Sequence, residues 1–187
     1  MSPSSPLPSS QPDPEQIAWL KSFIRDVPDF PQPGILFRDI TPLLENGAAL
    51  RASVEWLAHR YRDARIDQVV GIESRGFIFG TPLAYLLGTG FVPVRKLGKL
   101  PGETVRIEYA LEYGANVLEM QVGAVKPGQR VLVADDLLAT GGTTAGTVAL
   151  VEALGAQVVS LAFLIELTAL GGRQRLADRD VFALLAY

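Results

Sequence analysis

Val131-Leu-Val-Ala-Asp-Asp-Leu-Leu-Ala-Thr-Gly-Gly-Thr-Thr144 joins two things that folding alone does not ask for. Val131, Leu132 and Val133 suit a strand buried on both faces. The stretch then sets Asp135 beside Asp136 and closes on Ala139-Thr140-Gly141-Gly142-Thr143. Helical periodicity resumes over Thr143 to Leu154 and stops at Gly155. Strand, acidic turn and helix follow one another as in one unit of an α/β sheet.

Working outward, the same alternation recurs. Gln68 to Ile72 reads as a strand, Gly76 to Leu87 as a helix ending at Gly88, and Phe91 to Val94 as the next strand. Gln129 to Ala134 and Val158 to Ile165 are further strands. Upstream, Pro14 to Arg25 and Asn46 to Tyr61 carry helical stripes. Between them Phe30 to Pro42 is a Pro-rich loop with a short extended piece, Ile35 to Phe37. Lys96 to Glu112 reads as a long loop or an exposed hairpin. Strands alternating with helices give an α/β fold with a mostly parallel central sheet flanked by helices, through right-handed crossovers. A single domain is expected over residues 15–187, behind a disordered Pro/Ser tail at 1–14 that lacks the basic and apolar regions of a signal peptide.

Composition excludes several classes. The net charge is -3, which does not suit a general nucleic-acid binder, since phosphate backbones demand a basic face. With no cysteine there are neither disulfides nor thiolate metal sites, in keeping with a reducing, cytoplasmic setting. Gly76 to Val94 is free of charge, close to membrane-spanning length. Its glycines, threonines and two prolines break it into a buried helix and a buried strand, so no membrane association is expected.

In open α/β sheets, ligands bind beyond the carboxyl ends of the strands. Three segments fall there: Glu73-Ser-Arg-Gly76, Arg95-Lys96, and Asp135 to Thr144. In the last, Gly141 and Gly142 allow a tight turn that aims successive N–H groups inward. Thr140, Thr143 and Thr144 add hydroxyls, and the following helix adds its positive end. Together they suit a phosphate monoester. The carboxylates repel phosphate, so their task is to accept hydrogen bonds from hydroxyls such as those of a ribose. Taken alone, the Gly-Gly-Thr turn reads as a plain helix start with solvated acids; the doubled Asp after an apolar strand tips the balance. The turn lacks the Gly-Lys-Ser/Thr ending of a nucleotide P-loop. Gly88-Thr-Gly90 is not a dinucleotide fingerprint, because Pro93 stands where a glycine belongs.

Val131 to Thr144 resembles the diphosphate-sugar motif of the type I phosphoribosyltransferases. Four other segments narrow the resemblance to the branch that uses adenine. They are Pro28 to Pro42, Gly71 to Gly80, the pair Arg95 to Gly102 with Tyr109 to Gly114, and Glu166 to Arg173. The resemblance covers residues 15–187 in order. It implies a small N-terminal base-binding hood, a mobile loop over 96–112, and a homodimer. It implies transfer of phosphoribosyl from 5-phosphoribosyl 1-diphosphate to adenine, giving AMP and pyrophosphate, with Mg2+ carried mainly by the substrate.

The implied roles follow position by position. Ala139, Thr140, Gly141, Gly142 and Thr143 cradle the 5-phosphate. Asp135 and Asp136 hold the ribose hydroxyls, Asp135 being an expected contact to magnesium through water. Arg75, Arg95, Lys96 and Lys99 face the diphosphate, with Arg75 also catalytic. Leu36, Phe37 and Arg38 take adenine. Glu112, beside Tyr113, is the acid/base candidate; a lone loop Glu reads as solvated, and only the Leu-Glu-Tyr-Gly context gives it this role. His59, on a polar helix face, has none. Two alternatives stand: a regulatory protein that senses phosphoribosyl diphosphate, and the same transfer to hypoxanthine or guanine. Against the second stands the Phe37-Arg38-Asp39 segment.

Overall fold

The computed structural model describes residues 11–110 and 115–187. They divide into two compact units, one through Arg60 and one from Tyr61 to Tyr187.

The first unit opens with helix α1, Pro14–Lys21. Asp13 caps it by accepting the Gln16 amide at 2.8 Å, and the Gln16 side chain accepts the Asp13 amide in return at 2.9 Å. The helix ends four residues earlier than its apolar stripe implies. Arg25–Pro28 instead forms strand β1, antiparallel to β2, Leu36–Asp39. Side chains from the two strands outweigh the helical stripe. Arg25 pairs with Asp39, Arg38 with Asp26, and Phe30 packs edge-on against Phe37 with centroids 5.2 Å apart. The extended piece therefore starts one residue later than the sequence implies and runs through Asp39. A short helix α2, Thr41–Glu45, leads to α3, Gly47–Tyr61, whose first amides at Ala48 and Ala49 are capped by Asn46 Oδ1.

The second unit is built on a seven-stranded sheet. Its elements are β3 (Gln68–Ile72), α4 (Gly76–Leu87), β4 (Gly90–Lys96), β5 (Thr104–Ala110), β6 (Ala115–Gln121), β7 (Arg130–Leu138), α5 (Gly142–Ala153), β8 (Gln157–Glu166), α6 (Gly172–Arg175) and β9 (Val181–Ala186). The spatial order is β5-β6-β4-β3-β7-β8-β9. The five strands from β4 to β9 run parallel, while β6 and β5 add an antiparallel edge. Within the stretch read as a long loop or an exposed hairpin, Thr104–Ala110 is a hairpin strand paired with β6, and residues 111 and 112 lie outside the described residues. The Gly76 to Val94 run is a helix and a strand, as its breakers require. No helix among the described residues is long and apolar enough to cross a membrane.

Two features depart from the sequence reading. Strand β7 does not stop at Ala134 but carries both aspartates, because pairing with β8 continues from Asp135↔Phe163 to Leu138↔Glu166. Strands β6 and β9 are additional; β9 is held by a parallel ladder to β8, a long-range pairing that periodicity does not report. The apolar core is continuous across the sheet and α5, with Val70, Val94, Met120, Val133, Val151 and Phe163 fully buried. The chain leaves β3 toward β4 and leaves β7 toward β8, in opposite directions along the sheet. This reversal makes the carboxyl ends of β3 and β7 the switch point at which open α/β sheets bind ligands.

In the first unit, Asp39 joins the strand pair to α2. Its carboxylate accepts the Thr41 amide at 2.9 Å and Arg25 Nε at 3.1 Å. The Thr41 hydrogen bonds, then Arg25, hold its pKa down at about 2. A depressed carboxylate adds stability above its unfolded value, and the contribution is lost as pH falls toward 2. Trp19 and Trp56, the two tryptophans, both lie in this unit. Urea titrations followed by tryptophan emission should therefore show a larger loss of stability from pH 5 to pH 2.5 in the native chain than in Asp39→Asn. Equal losses would contradict this role.

Candidate functional site

The site begins with a close approach of backbones. Helix α4 starts after β3 and three intervening residues, and its first residue sits against the middle of β7, where pairing with β3 ends. A side-chain carbon at Gly76 would lie 2.8 Å from the Ala134 carbonyl oxygen and 2.9 Å from Asp135 Oδ1, so only glycine fits. The residue before it, Arg75, is thereby carried to Asp136, with Nε 2.9 Å from Oδ2. This contact is one of charge more than of alignment, since the buried Oδ2 accepts no well-directed hydrogen bond.

The neighbouring strand supplies the next wall. Glu73 accepts the Lys96 amide at 2.9 Å and Arg95 Nη2 at 3.1 Å. Burial alone raises the Glu73 pKa, but the Lys96 amide and the Arg95 guanidinium together hold it below the usual value. Beyond Asp136 the chain turns through Gly141, at φ 78°, into α5, which no side chain caps. The amides of a helix start and its positive end then face the turn.

Two adjoining cavities result. The larger, about 260 Å³, is walled by Glu73, Ser74, Arg75, Lys96, Asp135 and Asp136, among others. The smaller, about 90 Å³, is walled by Asp135, Leu137 and every residue from Ala139 to Thr144. They share Asp135, Leu137 and Thr143. One end is lined by cations and acids, the other by amides and hydroxyls. Among the described residues, no three His, Cys, Asp or Glu side chains cluster as a metal site.

The aspartates are electrostatically unusual. Burial first, and then the charge of Asp136, push Asp135 well above the usual carboxylate range. Burial raises Asp136 also, against the pull of Arg75. Asp135 further accepts the Asp136 amide at 2.9 Å. Both carboxylates line the larger cavity, where they can accept hydrogen bonds from a ligand's hydroxyls.

Of the residues singled out from sequence, Arg75, Lys96, Asp135, Asp136 and the 139–143 turn come together here. Arg95 and Lys99 stand outside these walls. Arg95 is engaged with Glu73 and donates from Nη1 to the Lys99 carbonyl at 2.9 Å. Leu36, Phe37 and Arg38 lie on β2 of the first unit, with Leu36 exposed and Phe37 half-buried. Glu112 and Tyr113 lie outside the described residues.

Sequence reasoning missed Gly76 and the full engagement of Glu73. It also missed Glu119, a buried carboxylate on β6. Glu119 accepts the amides of Lys99 and Leu100 at 2.9 and 3.0 Å and the Thr104 hydroxyl at 3.3 Å. Burial raises its pKa, but the Leu100 and Lys99 amides hold it below the usual value. An acid within an apolar alternation, in Val117-Leu-Glu-Met120, was the available signal.

Comparison with known proteins decides the family. The family model described as phosphoribosyl transferase domain matches residues 39–184. The chain belongs to this family. The adenine phosphoribosyltransferase of Carboxydothermus hydrogenoformans is 58% identical over 168 residues, spanning 90% of this chain and 99% of that one. The crystal structure of adenine phosphoribosyltransferase from Thermoanaerobacter pseudethanolicus superposes with a TM-score of 0.89 at 51% identity, covering 91% and 99% of the two chains. That of the Saccharomyces cerevisiae enzyme, complexed with an imino-altritol 1,6-bisphosphate and adenine, gives 0.85 at 42% identity over 90% and 98%. The stretch that resembles the family's diphosphate-sugar motif spans β7 and the turn into α5, with both carboxylates inside the strand.

Two outcomes follow from the charges. A carboxylate whose folded pKa is raised costs stability once it ionises, so folding weakens as pH rises through that value. Asp135→Asn, which keeps the acceptor oxygen, should therefore be more stable than the native chain at pH 7.5, read as a higher urea midpoint by circular dichroism. The gap should close on acidification, and a variant less stable at pH 7.5 would contradict the assignment. Glu119→Ala strands two amide donors and should cost about 2–5 kcal/mol in the same assay. A loss below 1 kcal/mol would show that the 99–100 turn does not depend on it.

Proposed function

We propose that the protein transfers the 5-phosphoribosyl group of 5-phosphoribosyl 1-diphosphate to adenine, giving AMP and pyrophosphate, a purine-salvage reaction. The observation that carries it is the junction of the two cavities. Paired carboxylates suited to sugar hydroxyls stand directly beside an amide-and-hydroxyl cradle suited to a phosphate ester. The reading is supported by relatives named adenine phosphoribosyltransferase at 58% identity across nearly their whole length.

On this reading, the 5-phosphate occupies the 139–143 turn. Asp135 and Asp136 accept hydrogen bonds from the ribose hydroxyls. Arg75 and Lys96 face the diphosphate, and Arg95 and Lys99 are assigned to the same group from outside the cavity walls. The bond from the anomeric carbon to diphosphate oxygen breaks, and its electron pair leaves on the diphosphate. A ring nitrogen of adenine forms the new bond and loses its proton. Positive charge grows on the sugar, as in glycoside cleavage, next to two carboxylates. Negative charge grows on the leaving group, next to Arg75 and Lys96, and preorganised charge of this kind is usually the largest catalytic contribution.

Magnesium fits the donors present. The Asp135 and Asp136 carboxylates are hard oxygen donors that line the same cavity, with Asp136 Oδ2 shared with Arg75. An ion brought by the diphosphate would be held there, through water, and would neutralise leaving-group charge. Adenine is assigned to Leu36, Phe37 and Arg38, and proton exchange to Glu112 with Tyr113. A homodimer and a cytoplasmic location complete the proposal.

The test is a base panel. Each nucleobase is incubated with phosphoribosyl diphosphate and magnesium, and pyrophosphate release is recorded. Adenine should be preferred. A preference for hypoxanthine or guanine would overturn the acceptor, and binding of phosphoribosyl diphosphate without turnover on any base would favour a sensor. Arg75→Ala should lower kcat by about 10²-fold or more, the usual cost of one transition-state donor. An unchanged kcat would remove Arg75 from the chemistry.

A further inference from the structure

The Glu166 to Arg173 segment resembles family sequence but has no part in the chemistry above. It nevertheless touches the phosphate turn. Gly172 packs so tightly beneath it that a side-chain carbon there would lie 2.2 Å from the Ala139 carbonyl oxygen and 3.0 Å from Leu138 Cγ. In the reverse sense, a side-chain carbon at Gly141 would meet the Gly172 carbonyl oxygen at 2.9 Å and its Cα at 3.3 Å. The two turns are therefore in backbone contact, with no side chain between them to absorb a displacement. A further bond, Leu167 N–H to the Leu138 carbonyl at 2.9 Å, ties the same two segments just upstream.

The lower turn is itself held from outside. Arg173 Nε and Nη2 donate to the two Glu166 oxygens at 3.0 and 2.6 Å, a bidentate pair. Its Nη1 donates to the Val181 carbonyl at 2.7 Å. One guanidinium thus joins the end of β8, the start of β9 and the Gly171-Gly172 turn. Glu166 is buried, and Arg173 is half exposed at its head. With its donors committed to Glu166 and Val181, Arg173 is placed to fix a backbone rather than to bind an anion.

We infer that Gly172 and Arg173 are positioning residues for the sugar-phosphate turn. They form a rigid floor that sets the shape of Ala139 to Gly142 and hence affinity for the 5-phosphate end of the substrate. This rests on the proposed phosphate role of that turn. A displacement of the order of 1 Å at a binding group is enough to cost up to about 10²-fold. A carbon placed 2.2 Å from the Ala139 oxygen forces at least that.

The test compares Gly172→Ala, Arg173→Lys and, as a control within the turn, Thr143→Ala. Kd for ribose 5-phosphate is measured by calorimetry, KM for phosphoribosyl diphosphate and for adenine by pyrophosphate release, and Tm alongside. Gly172→Ala and Arg173→Lys should each raise the ribose 5-phosphate Kd and the phosphoribosyl diphosphate KM by about tenfold. The adenine KM should stay within about twofold, a split that general loss of stability would not produce. If Gly172→Ala does not fold, Arg173→Lys decides, since Lys keeps the charge but loses the fork. Native ribose 5-phosphate affinity in the variants, with Thr143→Ala weakened, overturns the floor alone. Native affinity in Thr143→Ala overturns the phosphate role of the turn, and with it the inference.

Discussion

Helix α4 begins with its backbone pressed onto strand β7 at Ala134 and Asp135, and most of the site follows from that contact. Gly76 leaves no room for a side chain between the helix start and Ala134 and Asp135. Arg75 is therefore delivered to Asp136, and the carboxyl ends of β3 and β7 become the two lips of one cleft. The reversal of chain direction between these strands makes a cleft at this point; the glycine makes it narrow enough for charges on both lips to interact. A wider gap would leave the buried Asp136 carboxylate, with Asp135 beside it, without a neighbouring cation, a costly arrangement in a region of low dielectric.

The charge pattern is graded along the cleft. At one end, Arg75 and Lys96 stand against Glu73, Asp135 and Asp136. At the other, the wall from Ala139 to Thr144 carries no charged side chain, and what it offers an anion is amides and hydroxyls alone. A substrate with a strongly charged diphosphate at one end, hydroxyls in the middle and a phosphate ester at the other matches that gradient. Glu73 and Glu119 play a different part from the aspartates. Glu119 is satisfied by two backbone amides and Glu73 by one amide and the Arg95 guanidinium, so each has its pKa held down as a structural clasp, whereas burial leaves Asp135 with its pKa raised.

Local signals carried the central architecture into the sequence. The run Val131 to Val133 marks a strand, and Gly88 after α4 and Gly155 after α5 mark helix ends, through apolar periodicity and chain breakers; the structure places both helices within one residue, while the strand runs four residues further than expected. The Asp135-Asp136 pair and the 139–143 turn were legible because a strand, two acids and a glycine turn are contiguous in the chain. What was not legible depends on distance. Arg25 to Pro28 is a strand only because Leu36 to Asp39 lies against it. Strand β9 is defined by β8, and the continuation of β7 through both aspartates by Phe163 and Leu138's partner Glu166. Gly76 and Gly172 look like any helix-start glycine until the opposing backbone is known. Arg95 reads as a cation for the diphosphate, and only the fold shows it engaged by Glu73.

The central claim is that one strand end holds the sugar hydroxyls and the adjoining turn holds the phosphate. A crystal structure of the protein grown with AMP tests it most directly. The phosphate should lie against the amides of residues 140–143, with the ribose hydroxyls within hydrogen-bond reach of Asp135 and Asp136. AMP bound elsewhere, with this cleft filled by solvent, would contradict the account.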